Sequence, residues 1–196
     1  MRRQLGTGQK TRVPLRRDAI SAVLAIALFC ASGIASKRTA LRSGEYRNPD
    51  HGYGVRVPKG LRYEVSRPPA PNHGFTVSLP EGTLLWVDGS YTDDADLSAA
   101  TDSEREVWRG SCREQANAPT VLGPLPARRI TFSCLDGSPG HPPTVVTVVL
   151  ALLGRPGNGI AEYEFGFRSP MRQEPEDQAQ RLLDQLIHGF FLLPMR

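Results

Sequence analysis

The sequence predicts an α+β domain: a mostly antiparallel sheet of about six strands with helices packed on its faces, an α/β/α sandwich. Three observations predict it. Runs such as ARRITFSC, 127–134, and IAEYEFGFR, 160–168, alternate apolar with polar residues, the period-two signature of a half-buried strand. The run TVVTVVLALL, 144–153, is apolar on both faces, and such a strand needs cover on both sides. Two other stretches, near 97–116 and 174–190, repeat with the helical period.

In chain order, residues 49–60 read PDHGYGVRVPKG and residues 71–82 read PNHGFTVSLPEG. Each copy predicts a turn at Pro-(Asp/Asn)-His-Gly, a strand, and a Pro-x-Gly stop. There are two copies, too few for a solenoid. TLLWVDGSY, 83–91, is a further strand around Trp86. The period then changes. Thr101 to Glu104 has the form of a capping box, and Leu97, Thr101, Glu104, Trp108, Cys112 and Ala116 fall on one helical face. Strands at 127–134, 144–153 and 160–168 follow, the last two joined by the short turn GRPGNG as an antiparallel hairpin. In the last strand Ala161, Tyr163, Phe165 and Phe167 point inward. A closing helix starts with acids and Pro175. Its apolar stripe is Ala179, Leu182, Leu183, Leu186, Ile187 and Phe190.

The amino terminus describes export. Residues 1–17 hold Arg2, Arg3, Lys10, Arg12, Arg16 and Arg17 and no acid, and 19–35 carry no charge. A basic head, an apolar run and the small-residue exit Gly33-Ile34-Ala35 read as a secretory signal, or as an uncleaved membrane anchor. The predicted organisation is therefore a signal or anchor at 1–35, a polar tether at 36–48 and a single domain at 49–196. Without residues 1–35 the chain holds eighteen basic and nineteen acidic side chains. The high pI belongs to the targeting segment, and nucleic acid is excluded as a partner. The expected location is the periplasm or outside the cell, either free or held by the N-terminus. The membrane is contacted only through 19–35 if that run stays uncleaved. Cys30 lies in the signal after Phe29, a poor fit to a lipidated cysteine.

The segments GYGVRVPKGL, 52–61, the later strand hairpin and LLDQLIHGFFLLP, 182–194, resemble the Mog1/PsbP-like group of α/β/α sandwich domains. The resemblance spans the layout of residues 46–194. It departs from the group at Leu61, where a Trp usually follows the first strand. It implies a binding or assembly factor with no shared catalytic centre.

Five sets of residues are candidates for chemistry. His51 and His73 stand at equivalent turns, where two imidazoles are candidate metal ligands with Asp50. The bland reading makes both polar residues of repeated bends, and the echo a repeated strand-start device. Asp88, Asp93, Asp94, Asp96, Asp102 and Glu104 form an acidic run without the rhythm of a calcium loop, and acids at a helix start need no ion. Ser90 lacks the second Gly of a nucleophile elbow, and neither His141 nor His188 completes a hydrolase constellation. Trp86, Tyr91 and Trp108 read as core rather than pocket lining. Cys112 and Cys134, an even pair once Cys30 leaves with the signal, are expected to form a disulfide in a helix–sheet seam, the alternative being two buried free thiols. No cofactor is expected. The sequence reading is an exported, non-enzymatic binding or assembly domain with an unknown protein or small-molecule partner. The competing reading is an exported metal-binding protein or hydrolase using His51 and His73.

Overall fold

The computed structural model describes residues 44–65, 73–135, 142–155 and 159–194. The stretches 1–35 and 36–43, with Cys30, lie outside them, as do Pro71, Asn72 and His141. The described residues form two sheets. Strands β1 (Glu45–Asn48), β2 (Tyr53–Arg56) and β10 (Phe190–Leu192) make a small sheet in the order β1-β2-β10. Seven strands make the large one: β3 (Glu64–Val65), β4 (Phe75–Ser78), β5 (Leu84–Thr92), β6 (Cys112–Leu122), β7 (Leu125–Cys134), β8 (Thr144–Arg155) and β9 (Gly159–Pro170). Their order is β3-β4-β5-β9-β8-β7-β6 and every pairing is antiparallel.

Helix α1 (Leu97–Trp108) carries the chain from β5 across one face of the large sheet to β6 at its far edge. Helix α2 (Gln173–Gly189) and the small sheet cover the other face. The result is the α/β/α sandwich of the α+β class that the periodicities predict. Ala179, Leu183, Leu186 and Ile187 of α2 are buried against Val87, Val149, Tyr163, Phe165 and Phe167 of the sheet. A second, smaller core lies under α1, where Leu97 and Trp108 pack on Ile130, Phe132, Val146, Val148 and Leu150. Strand β8 thus buries both its faces, as its apolar run requires.

Four details differ from expectation. The helix starts earlier than the Thr101 capping box: Asp96 is the N-cap and accepts from Ser98 N at 2.8 Å and Ala99 N at 2.9 Å. Thr101 is one turn inside, and its hydroxyl donates to the Leu97 carbonyl. The helix also stops earlier, at Trp108, so Cys112 and Ala116 are strand residues of β6, not helix residues. The last four residues of the stretch read as a tether, 36–48, form β1. Finally, the first-copy strand β2 lies in the small sheet, and the unexpected strands β3 and β6 bring the large sheet to seven.

Cys112 and Cys134 are nonetheless bonded, with S–S 2.01 Å and a Cα separation of 4.0 Å. They are directly opposite in the β6–β7 register. The bond therefore closes the open end of a hairpin whose other end is the two-residue turn between Leu122 and Leu125. It does not staple a helix to a strand. Trp108 still packs beside it, its ring 6.1 Å from that of Phe132.

Candidate functional site

The repeated phrase builds one corner of the molecule from two sheets. Strand β2 of the first copy joins the small sheet and β4 of the second joins the large one. The two turns nevertheless meet, with the His51 and His73 rings 5.2 Å apart between centroids. The Tyr91 ring lies 5.3 Å from that of His51, and Tyr91 is exposed at the surface rather than a core residue. The backbone of both turns is held by tyrosines. Tyr163 donates to the His51 carbonyl at 3.0 Å, Tyr53 to the His73 carbonyl at 2.6 Å, and Tyr91 to the Asp50 carbonyl at 3.1 Å. The His51 N–H donates to the Asn48 side chain.

Glycines at this corner have different work to do. Gly52 takes the left-handed backbone at φ 64°, as its turn requires. A Cβ on its counterpart Gly74 would lie 1.7 Å from the Val87 carbonyl oxygen, so here Gly permits close strand approach instead.

His51 is 8 % exposed, whereas His73 is partly open and reaches Asp88, Nδ1 to Oδ2 3.8 Å. Burial raises the Asp88 carboxyl, and His73 partly offsets this. Among the described residues no group of three or more His, Cys, Asp or Glu side chains is arranged to hold a metal ion.

The acidic run is divided among separate tasks. Asp96 caps α1, Asp102 pairs with Arg105 at 2.6 Å, and Asp94 accepts from Ser103 and Thr92. Ser90 faces the α1 side of β5 opposite Glu162. His188 belongs to α2 on the other side, donating from Nδ1 to the Asp184 carbonyl.

A second grouping was not singled out in the sequence. Beneath α1, Trp86 donates its indole N–H to Glu164, and Trp108 donates to Glu104. The Trp86 ring sits against Gly166, its partner in the β5–β9 register, where a Cβ would approach Cζ2 to 2.4 Å. Burial, with repulsion from Glu104, Asp88 and Glu162, pushes the Glu164 carboxyl up to about 8. Burial and the charges of Asp94, Glu104 and Asp88 push Glu162 up to about 7. Glu104 is raised by burial too. The alternation at 160–168 marks Glu162 and Glu164 as pointing away from the main core, which is correct, but α1 closes over that side.

No protein-family model matches the chain, and no curated protein matches it. Solved structures do. LpqN of Mycobacterium tuberculosis, described as involved in cell envelope biogenesis, superposes with a TM-score of 0.56 at 12% identity, over 81% of this chain and 91% of LpqN. The Ran-binding protein Mog1p of Saccharomyces cerevisiae gives 0.51 at 13%, over 79% of this chain and 97% of Mog1p. The chain has the Mog1/PsbP-like fold. Cyanobacterial PsbP of Synechocystis also overlaps, with a TM-score of 0.49 at 15% identity over 85% of this chain and 99% of that one. At such identities the likeness concerns the Mog1/PsbP-like fold itself, and the departure at Leu61 leaves that layout intact.

Proposed function

We propose that this chain is an exported, non-enzymatic binding or assembly domain with a protein or small-molecule partner. The observation that carries the reading is the fold: the proteins it resembles include one involved in cell envelope biogenesis and one that binds Ran. The cross-strand disulfide supports an oxidising compartment. The signal-like residues 1–35 supply a route there, and the near-neutral remainder argues against nucleic acid. Expression of the full chain in a bacterial host, then fractionation and intact mass, tests export. A mature chain starting near Ser36 in the periplasm or medium is expected. A mass that retains 19–35 in the membrane fraction makes those residues an anchor, and a cytoplasmic full-length chain overturns the reading. Crosslinking in the exporting cell should then recover one stoichiometric partner.

A second reading is favoured by the 5.2 Å approach of His51 and His73. In it the two imidazoles, with Asp50 nearby in sequence, bind a metal ion. Metal analysis of the purified mature protein separates the two, since a stoichiometric ion lost on His51→Asn and His73→Asn belongs to the second reading alone.

A further inference from the structure

The carboxyl groups under α1 are set against one another by the sheet itself. Glu164 is directly opposite Asp88 in the β5–β9 register, and Glu162 is two residues along on the same face. Like charges placed so oppose each other in any sheet. Helix α1 then lowers Glu104 onto the same patch, at the helical spacing Leu97, Thr101, Glu104, Trp108 that faces the sheet. Both indole N–H groups, those of Trp86 and Trp108, are spent on this cluster. A carboxyl group accepts such a bond whether or not it carries a proton.

The other charges facing the cluster are few. Asp94, ahead of α1, adds a further negative charge. On the sheet, Arg168 of β9 lies four residues beyond Glu164, and Arg128 of β7 is opposite Leu150, two strands away. His73 lies beyond Asp88. Arg105 of α1 is occupied on the outside by Asp102 and by Glu114 of β6. Strand β8 contributes Val146, Val148 and Leu150. So lifting α1 relieves repulsion among ionised groups, and seating it is favoured when some of them are neutral.

We propose that α1 is a pH-operated latch on the large sheet, seated while the cluster of Glu104, Glu162 and Glu164 retains protons and loosened when the cluster is fully ionised. The sign follows from the direction of the shifts. The seated form holds protons that the loosened form, with carboxyls near their ordinary values, gives up. Rising pH therefore favours loosening, from the ordinary carboxylate range, where the loosened form gives up its protons, up to about 7 to 8, where Glu162 and Glu164 ionise in the seated form, with no further change above. The latch has a hinge and a tether. Gly110 follows the helix in open space, and the Cys112–Cys134 bond keeps the next strand in the sheet. Loosening uncovers Trp86, Trp108 and the apolar strip of β7 and β8.

Both tryptophans of the chain lie in this seam, so fluorescence reads it directly. The full chain is titrated from pH 5.5 to 9, following tryptophan emission, acrylamide quenching and amide exchange in α1 corrected for the intrinsic pH effect, with far-UV circular dichroism in parallel. The expected result is a red shift with a rise in quenching of about threefold and faster α1 exchange as the pH rises to about 8, levelling off above it, at constant overall secondary structure. In the Glu104→Gln, Glu164→Gln double variant, where Gln still accepts from both indoles, the seam stays closed throughout. Glu162→Gln, on the cluster's rim, moves the midpoint to higher pH. The proposal is overturned by a flat wild-type titration, by an unchanged response in the double variant, by an unmoved midpoint in Glu162→Gln, or by a transition that unfolds the whole domain.

Discussion

The Tyr53 hydroxyl donates to the His73 carbonyl oxygen at 2.6 Å, so the first copy of the repeated phrase is hydrogen-bonded to the second. The same carbonyl also accepts from Gly89 N at 2.8 Å. Tyr53→Phe therefore leaves that acceptor paired, but the Tyr46 hydroxyl and the Asn48 side chain also lose their contact with the Tyr53 hydroxyl. The expected cost is about 1 kcal/mol, a fall in Tm of roughly 2–4 °C for a chain of this size. Thermal melts of the two proteins under identical conditions check it.

Replacing both His51 and His73 with Asn is expected to leave the fold intact. The turns owe their shape to Tyr163, Tyr53 and the Asn48 side chain, which act on backbone atoms. Asn suits such bends. What is lost is ring contact between His51, His73 and Tyr91, about 1 kcal/mol. A folded amide spectrum with a slightly lowered melting temperature is the expected outcome. Loss of cooperative unfolding would show that the imidazoles themselves hold the corner.

Reduction of Cys112–Cys134 should destabilise the domain by about 3 kcal/mol on the chain-entropy estimate for a closed loop of this size, the sequence separation being 22. Edge strand β6 is the part expected to loosen first, since its side chains are mostly exposed on both faces. Denaturant unfolding with and without reductant measures the loss. Thiol titration of the unfolded, unreduced mature protein should find no free thiol.

Gly166→Ala is expected to cost about 1–3 kcal/mol, as overpacking does. The added methyl would meet both the Trp86 ring at 2.4 Å and the Thr147 carbonyl oxygen at 2.8 Å, and backbone on β8 cannot swing aside. The Trp86 ring must tilt off β9, weakening its bond to Glu164. Gly154→Ala, where a methyl meets nothing within 4 Å, is the control and should be near neutral. Denaturant midpoints of the two variants, with tryptophan emission as a second readout, check both expectations.

Elements whose own residues carry a period were determined by the sequence alone. Strands β7 and β9 are written in alternation, β8 as an apolar run and helix α2 as a 3.6-residue stripe, because β9 and α2 bury a face in the main core, β7 in the smaller core under α1, and β8 in both. The repeated turn–strand–stop phrase was equally legible, since its Pro and Gly act locally. Strand β6 was not. CREQANAPTVL is exposed on both faces, so no hydrophobic period marks it as a strand, and Cys112 fell by chance on the continuing face of α1. Nor were β1 and β10, short strands that exist by pairing with the two edges of β2. The carboxyl cluster shows the same limit. Glu162 and Glu164 are the polar half of a correct alternation, and the local pattern says only that they avoid the main core. The crossover from β5 to β6 lays α1 over them, and that is a contact between distant parts of the chain. Periodicity records which side of an element is buried in its nearest core, whereas what covers the other side is decided when the elements pack.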